Sequence, residues 1–254
     1  MLHEEYIRMI PDADTAVLFI HGIVGSPNHF VTQIPLVDLV PEDWSVYNLL
    51  LDGHGMGVED FSKTSMKKWK NQVCHVFDDL AANHKHVIIA AHSMGTLFAM
   101  QLAQEHPEKV PFLFLLAVPM RPWVRLFGAV NCLRLAFGLT REDHPLEVAL
   151  RDASGVKTTW KVWKYIGWIP RFMELFREIH RTEKVMACLS VPCVAWQSEK
   201  DELVSGRSRN ILDKSSAIEV RTLQDSGHFY YDPKDQNAVC ADFNRRCKEI
   251  SHDC

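Results

Sequence analysis

Residues 86–91, HVIIAA, restrict the fold of this chain more than any other stretch. Every position but the first is apolar, so both faces of a strand built from them must be buried. A strand buried on both faces belongs in the middle of a parallel sheet covered by helices. The next residues, HSMGTLFAMQLAQEH, read as a helix that begins almost at once. A chain that passes from a central strand into a helix within so few residues must turn sharply.

The rest of the chain repeats this alternation. TAVLFI (15–20), WSVYNLLL (44–51), VPFLFLLAVP (110–119), VPCVAWQS (191–198) and AIEVRTLQ (217–224) read as strands. In the stretch 65–83, Met66, Trp69, Val73, Val76, Phe77 and Leu80 recur at helical spacing. SGRSRNILDKS (205–215) and DPKDQNAVCADFNRRCKEI (232–250) also read as helices. Strands alternating with helices predict an α/β fold with a mostly parallel, doubly wound sheet. From Arg121 to about Lys184 the alternation stops, and apolar helical segments broken by Gly167 and Pro170 take its place. The expected organisation is a core of residues 1–120 and 185–254, with a helical cap over 121–184 inserted after the strand at about 110–119.

The chain has 254 residues, which suffices for one large core. Its net charge of −4 gives no reason to expect nucleic acid or an anionic membrane surface as partner. No apolar run reaches the roughly 18 residues needed to cross a bilayer, and the polar, acidic start MLHEEYIRMIPDAD is unlike a secretory signal. The expectation is a cytoplasmic protein whose seven cysteines are reduced thiols. Cys188 and Cys193 lack zinc-site spacing, and no metal or organic cofactor is implied.

The sharp turn falls on Ser93, with Ala91 two residues before it and Gly95 two after. Side chains at those two positions press against each other, so only small residues fit. The benefit is a hydroxyl projecting from the C-terminal edge of the sheet, in the pattern small-x-Ser-x-Gly of a nucleophile elbow. A plain N-cap would also place a serine there. A hydroxyl is a poor nucleophile without a neighbouring base. His228, in QDSGHFYYDP after the last strand, stands where that base is expected, although a surface-loop histidine has the same local sequence. The loop after 191–198 offers Glu199, Asp201 and Glu202 as the acid that orients the imidazole; Asp201 is favoured, and Asp225 better suits a local turn. Developing negative charge on a substrate oxygen needs backbone donors. The N–H of Met94 and, in HGIVGSPNHF after the first core strand, that of Ile23 are the candidates.

Together, HGIVGS, LLLDGHG, AAHSMGT, AVP, SEKDELVS and DSGH resemble the α/β-hydrolase superfamily, in particular the bacterial carboxylesterase and monoacylglycerol lipase-like serine hydrolases. The resemblance runs from about residue 14 to 250. It implies Ser93 as nucleophile, Asp201 as orienting acid, His228 as general base and acid, and Ile23 and Met94 as oxyanion-hole donors. It places the DGHG loop (52–55) beside the site, with no catalytic role for His54. Ala91 replaces the family's frequent glycine, which keeps the size requirement met.

The resulting expectation is hydrolysis of short-to-medium acyl esters or monoacylglycerols, with a small apolar ester as partner. His92, Trp123, Phe127, Trp163 and Val204 are candidate pocket residues, although most of the cap's large apolar side chains have the simpler task of gluing cap to core. Neither nucleic acid nor an integral membrane contact is expected, and assembly, a homodimer included, is left open. Cleavage of a carbon–carbon, lactone or amide bond uses the same three residues. An acyltransferase, or a ligand-binding receptor on this fold, is also compatible with the sequence. A dehalogenase or epoxide hydrolase would carry aspartate where Ser93 stands.

Overall fold

A computed structural model describes residues 3–123, 130–131, 134–135 and 137–253. Seven strands form one sheet in the order β1-β3-β2-β4-β5-β6-β7. They are β1 (Tyr6–Arg8), β2 (Thr15–Ile20), β3 (Ser45–Leu49), β4 (His86–His92), β5 (Leu113–Leu116), β6 (Cys193–Ser198) and β7 (Ile218–Leu223). All neighbours pair parallel except β1, which runs antiparallel to β3. The chain thus has the α/β-hydrolase architecture, a mostly parallel sheet flanked by helices. The edge strand β1 has no apolar alternation and was not expected. Its Arg8 guanidinium donates to the carbonyls of Val40, Pro41 and Trp44, which ties the strand down.

The central strands divide their side chains between two cores. Val87, Ile89 and Ala91 of β4 face one cluster, with Ala16, Leu18 and Ile20 of β2. Ile88 and Ala90 face the other, with Val17 and Phe19. This is the period of two that buries both faces. On the first face lie α1 (Val58–Lys63), α2 (Met66–Asn83) and α3 (Met94–Glu105). All six apolar positions expected on α2 are buried, and its N-cap Ser65 accepts from the Lys68 amide at 3.1 Å.

Between β5 and β6 lie α4 (Pro145–Ala153), a 3₁₀ helix (Val162–Trp168) and α5 (Ile169–Met186). After β6, the helix expected over 205–215 is shorter: a 3₁₀ turn at Gly206–Ser208 and the single α-turn α6 (Arg209–Leu212). Only Ile211 and Leu212 of that stretch are buried apolar side chains, too few to hold a longer helix. The chain closes with α7 (Pro233–Asp253).

The inner face of α5 is pinned to α3 by a buried polar bridge. Gln101 donates through Nε2 to Glu178 Oε1 (2.7 Å) and Thr182 Oγ1 (2.8 Å), while its Oε1 accepts from Lys70 Nζ (2.7 Å). Replacing Gln101 by Leu leaves the Glu178 carboxylate without its amide donor. Urea denaturation is expected to show a loss of about 2 kcal/mol, the range for hydrogen bonds to charged groups, with an unchanged slope.

Candidate active site

The turn from β4 to α3 is held at Ser93, whose backbone has φ 50° and ψ −122°. Such a conformation is rare for a residue with a side chain and persists only where the surroundings enforce it. The Ser93 amide donates to Leu116 O of β5 (2.9 Å), and its carbonyl accepts from both Thr96 N (3.0 Å) and Thr96 Oγ1 (2.6 Å). Gly95 packs directly on the carbonyl of Ile20 at the end of β2, where a Cβ would collide with that oxygen. Gly22 packs on the serine itself: a Cβ there would lie 2.8 Å from Ser93 Cβ.

Three distant segments meet at this turn. His228 Nε2 lies 3.1 Å from Ser93 Oγ, and His228 Nδ1 lies 2.8 Å from Asp201 Oδ2. All three residues are buried. A carboxylate only accepts, so Nδ1 carries the proton and Nε2 presents its lone pair to the serine hydroxyl. Asp201 is itself aimed by the loop after β6: its Oδ1 accepts from Leu203 N (2.8 Å) and Val204 N (2.7 Å). Of the other acids considered, Asp225 pairs with Lys200 on the exposed surface (2.6 Å).

The Ile23 amide makes no backbone hydrogen bond among the described residues, and the Met94 amide sits at the first position of α3, where no intrahelical acceptor precedes it. The loop carrying Ile23 is shaped by His21. Leu51 N donates to His21 Nε2 (3.1 Å), which leaves the proton on Nδ1 to donate to Gly22 O (2.9 Å). His54 instead sits among His21, Phe61 and Trp69, with its Nδ1 on the Leu51 carbonyl at 3.1 Å.

A model of the Alpha/beta hydrolase family matches residues 17–243. The chain belongs to this family. Among proteins similar to this chain, the dihydrolipoyllysine-residue acetyltransferase component of an acetoin cleaving system from Cupriavidus necator is 33% identical over 106 residues, 41% of this chain and 26% of that protein. A thermostable monoacylglycerol lipase from Bacillus sp. (strain H-257) is 28% identical over 93 residues, 36% of each chain. These relatives are matched over well under half their length. The crystal structure of a Paleococcus ferrophilus monoacylglycerol lipase superimposes with a TM-score of 0.65 at 16% identity, covering 95% of this chain and 98% of that one, and so shares the fold.

Around Ser93 the structure distributes the candidate pocket residues unevenly. Val204 is buried beside Asp201. His92 is fully buried, and its Nε2 donates to the His228 carbonyl at 3.0 Å, so it braces the histidine loop. Trp123 and Trp163 are more than half exposed, and the ring partner of Trp163 is Trp160. Phe127 lies outside the described residues. Two supports are not evident from spacing. His29 stacks on His92 with ring centroids 3.8 Å apart and meets the Tyr231 hydroxyl at 3.3 Å. Glu202 Oε2 accepts from the His228 backbone amide at 2.9 Å. The adjacent carboxylates Asp201 and Glu202 therefore hold one histidine by side chain and by main chain. Among the described residues no three His, Cys, Asp or Glu side chains are grouped to hold a metal ion.

Burial lowers the imidazole pKa values here, most of all where no acid compensates. It holds His29 at about 3, with a further push from His228, and takes His92 well below the ordinary 6.5, reinforced by His29 and His228. For His228 burial also acts downward, but the charge and hydrogen bond of Asp201, followed by the charge of Glu202, outweigh it, and the pKa is raised above 6.5.

Three expectations follow from this geometry. Gly95→Ala forces the Cβ into the Ile20 carbonyl and is expected to lower both the melting temperature and turnover of any Ser93-dependent reaction. A base at His228 works only when neutral, so kcat/KM is expected to fall with acid around a midpoint above 6.5. Glu202→Gln keeps an acceptor for the His228 amide but removes a charge, so that midpoint moves to lower pH; an unmoved limb would leave Glu202 with a purely structural part.

Proposed function

We propose that this chain is a serine hydrolase of carboxylic esters with apolar acyl groups, acting through an acyl-Ser93 intermediate. The observation that carries this reading is the continuous relay from Asp201 Oδ2 through both ring nitrogens of His228 to Ser93 Oγ, with contacts of 2.8 and 3.1 Å. Membership of a family with lipase relatives agrees with it.

In this mechanism Ser93 Oγ attacks the ester carbonyl carbon while His228 Nε2 takes the hydroxyl proton. The carbonyl oxygen becomes an oxyanion that accepts from the Ile23 and Met94 amides; removal of one such donor typically costs about 3 kcal/mol of transition-state stabilisation. Asp201 keeps the imidazolium oriented and offsets its charge. The intermediate collapses, the C–O bond to the alcohol breaks, and His228 returns the proton to the leaving oxygen. A water then attacks the acyl carbon as His228 takes one of its protons, and the carboxylic acid leaves as Ser93 regains its hydrogen. Residues 121–184 act as the cap. Leu146 near Gly227, and Ala149 and Ala153 against Phe229, put apolar side chains from the cap beside the histidine loop, which suits an acyl chain.

Ser93→Ala is expected to lower kcat by about 10⁴-fold or more, the scale found when a triad nucleophile is removed, while the melting temperature stays that of the wild type. A fluorophosphonate probe is expected to label wild-type protein on Ser93 alone, read by peptide mapping. A panel of nitrophenyl esters is expected to favour short-to-medium acyl chains; highest activity on a charged acyl group would contradict the substrate class.

A further inference from the structure

The segment from Lys157 to Arg181 has two apolar faces, and only one is used by the core. Its inner face is anchored: the Trp168 ring lies 4.5 Å from Phe61, its Nε1 donates to Val58 O (3.1 Å), and Leu175 and Ile179 of α5 are buried. Its outer face carries Trp163, Ile166, Ile169, Met173 and Phe176, each more than half exposed. Single exposed apolar residues are ordinary. These five follow one another at intervals of three and four, first along a 3₁₀ helix with three residues per turn and then along an α-helix with 3.6. They therefore form one continuous stripe, the kind of surface that marks an interaction site.

The charges beside the stripe indicate what covers it. Residues 157–181 carry six Lys and Arg against two Glu, and Glu59 of the adjoining α1 pairs with Lys164 at 2.8 Å, which leaves an excess of three positive charges over these residues in a chain whose net charge is −4. Lys161 lies over the ring of Trp160, 5.8 Å from its centroid, so indole and ammonium share one edge. At the far end the stripe gives way to exposed Arg177, His180 and Arg181. A second copy of the chain meeting this face about a two-fold axis would set like charge against like charge. An anionic lipid surface instead accepts the tryptophans at headgroup depth, the aliphatic side chains below them and the basic rim above.

We propose that this face docks on an anionic phospholipid surface, lying in the plane of the interface. Among the described residues no helix is long and apolar enough to cross a membrane, so the contact is peripheral. The remaining surface, net acidic, is repelled by the same lipids, which orients the molecule. The inference stands on the stripe and its charges and is independent of the role assigned to Ser93.

Co-sedimentation with sucrose-loaded vesicles tests it without any turnover. Wild-type protein is expected to bind vesicles rich in phosphatidylglycerol at least about tenfold more tightly than phosphatidylcholine vesicles, and to be released by salt. Ile166→Ser combined with Phe176→Ser is expected to weaken that binding at least about tenfold with an unchanged melting temperature, since both side chains are exposed. Lys161→Glu combined with Arg177→Glu is expected to abolish the preference for anionic lipid. Equal binding to both vesicle types, binding to neither, or a dimer in sedimentation equilibrium that the double serine variant converts to monomer would each overturn the proposal. Wild-type binding to the two vesicle types decides for or against the proposal even if a variant fails to fold.

Discussion

The backbone of Ser93 is the constraint on which the remainder of the site depends. A residue at φ 50° and ψ −122° carries strain on the order of 1–3 kcal/mol, so the neighbours must over-determine it. They do so from three strands. Strand β5 accepts the Ser93 amide at Leu116 O, β2 lies against Gly95 through the Ile20 carbonyl, and β4 brings Ala91, fully buried, into the turn. The parallel register that sets Ile20 beside Ala91 and His92 beside Leu116 is what lets all three ends converge. The hydroxyl is thus aimed by the middle of the sheet, the part of the fold that is hardest to deform.

The second ingredient is selectivity among imidazoles. His21, His29, His54, His92 and His228 are all buried within one region, and a proton could in principle rest on any of them. Burial keeps the first four neutral: His29 is held at about 3, His54 at about 4, and His21 and His92 well below the ordinary value. Only His228 faces two carboxylates, and only His228 is shifted upward. The neutral histidines still serve as directional struts, since His21 locks the Ile23 loop to Leu51 and His92 holds the His228 carbonyl. One environment thus produces four fixed hydrogen-bonding groups and one titrating base.

The parts of this arrangement that could be read from the sequence are those governed by local rules. Apolar runs revealed the six parallel strands, most clearly β2 and β4, where burial on both faces leaves almost no polar residue to obscure them. The small residues around Ser93 betrayed the turn because a steric requirement acts within five positions. The positions of Asp201 and His228 followed from where strands β6 and β7 end. What escaped was decided by tertiary contact. Strand β1 exists because Arg8 reaches three carbonyls more than thirty residues away. Glu202 was visible only as one of three acids, and its bond to a main-chain amide 26 residues on has no sequence signature. The net charge of the chain averaged away the basic run between Lys157 and Arg181, since the acidic surplus lies elsewhere.

The chain between β5 and β6 is bound to both rims of the site, and this limits how it can move. Gly155 N donates to Val24 O (2.7 Å) on the loop that carries Ile23, and Gly155 O accepts from Gly55 N (2.5 Å) on the loop after β3. On the opposite rim, Ala149 and Ala153 of α4 pack on Phe229, next to His228. Val24 has φ 56°, a conformation that a β-branched residue rarely adopts and that needs outside support. The bond from Gly155 is part of that support. A displacement of α4 that breaks it removes a restraint from the loop holding the Ile23 amide. The position of α4 and the conformation of the loop that carries the Ile23 amide are thereby mechanically linked through one hydrogen bond.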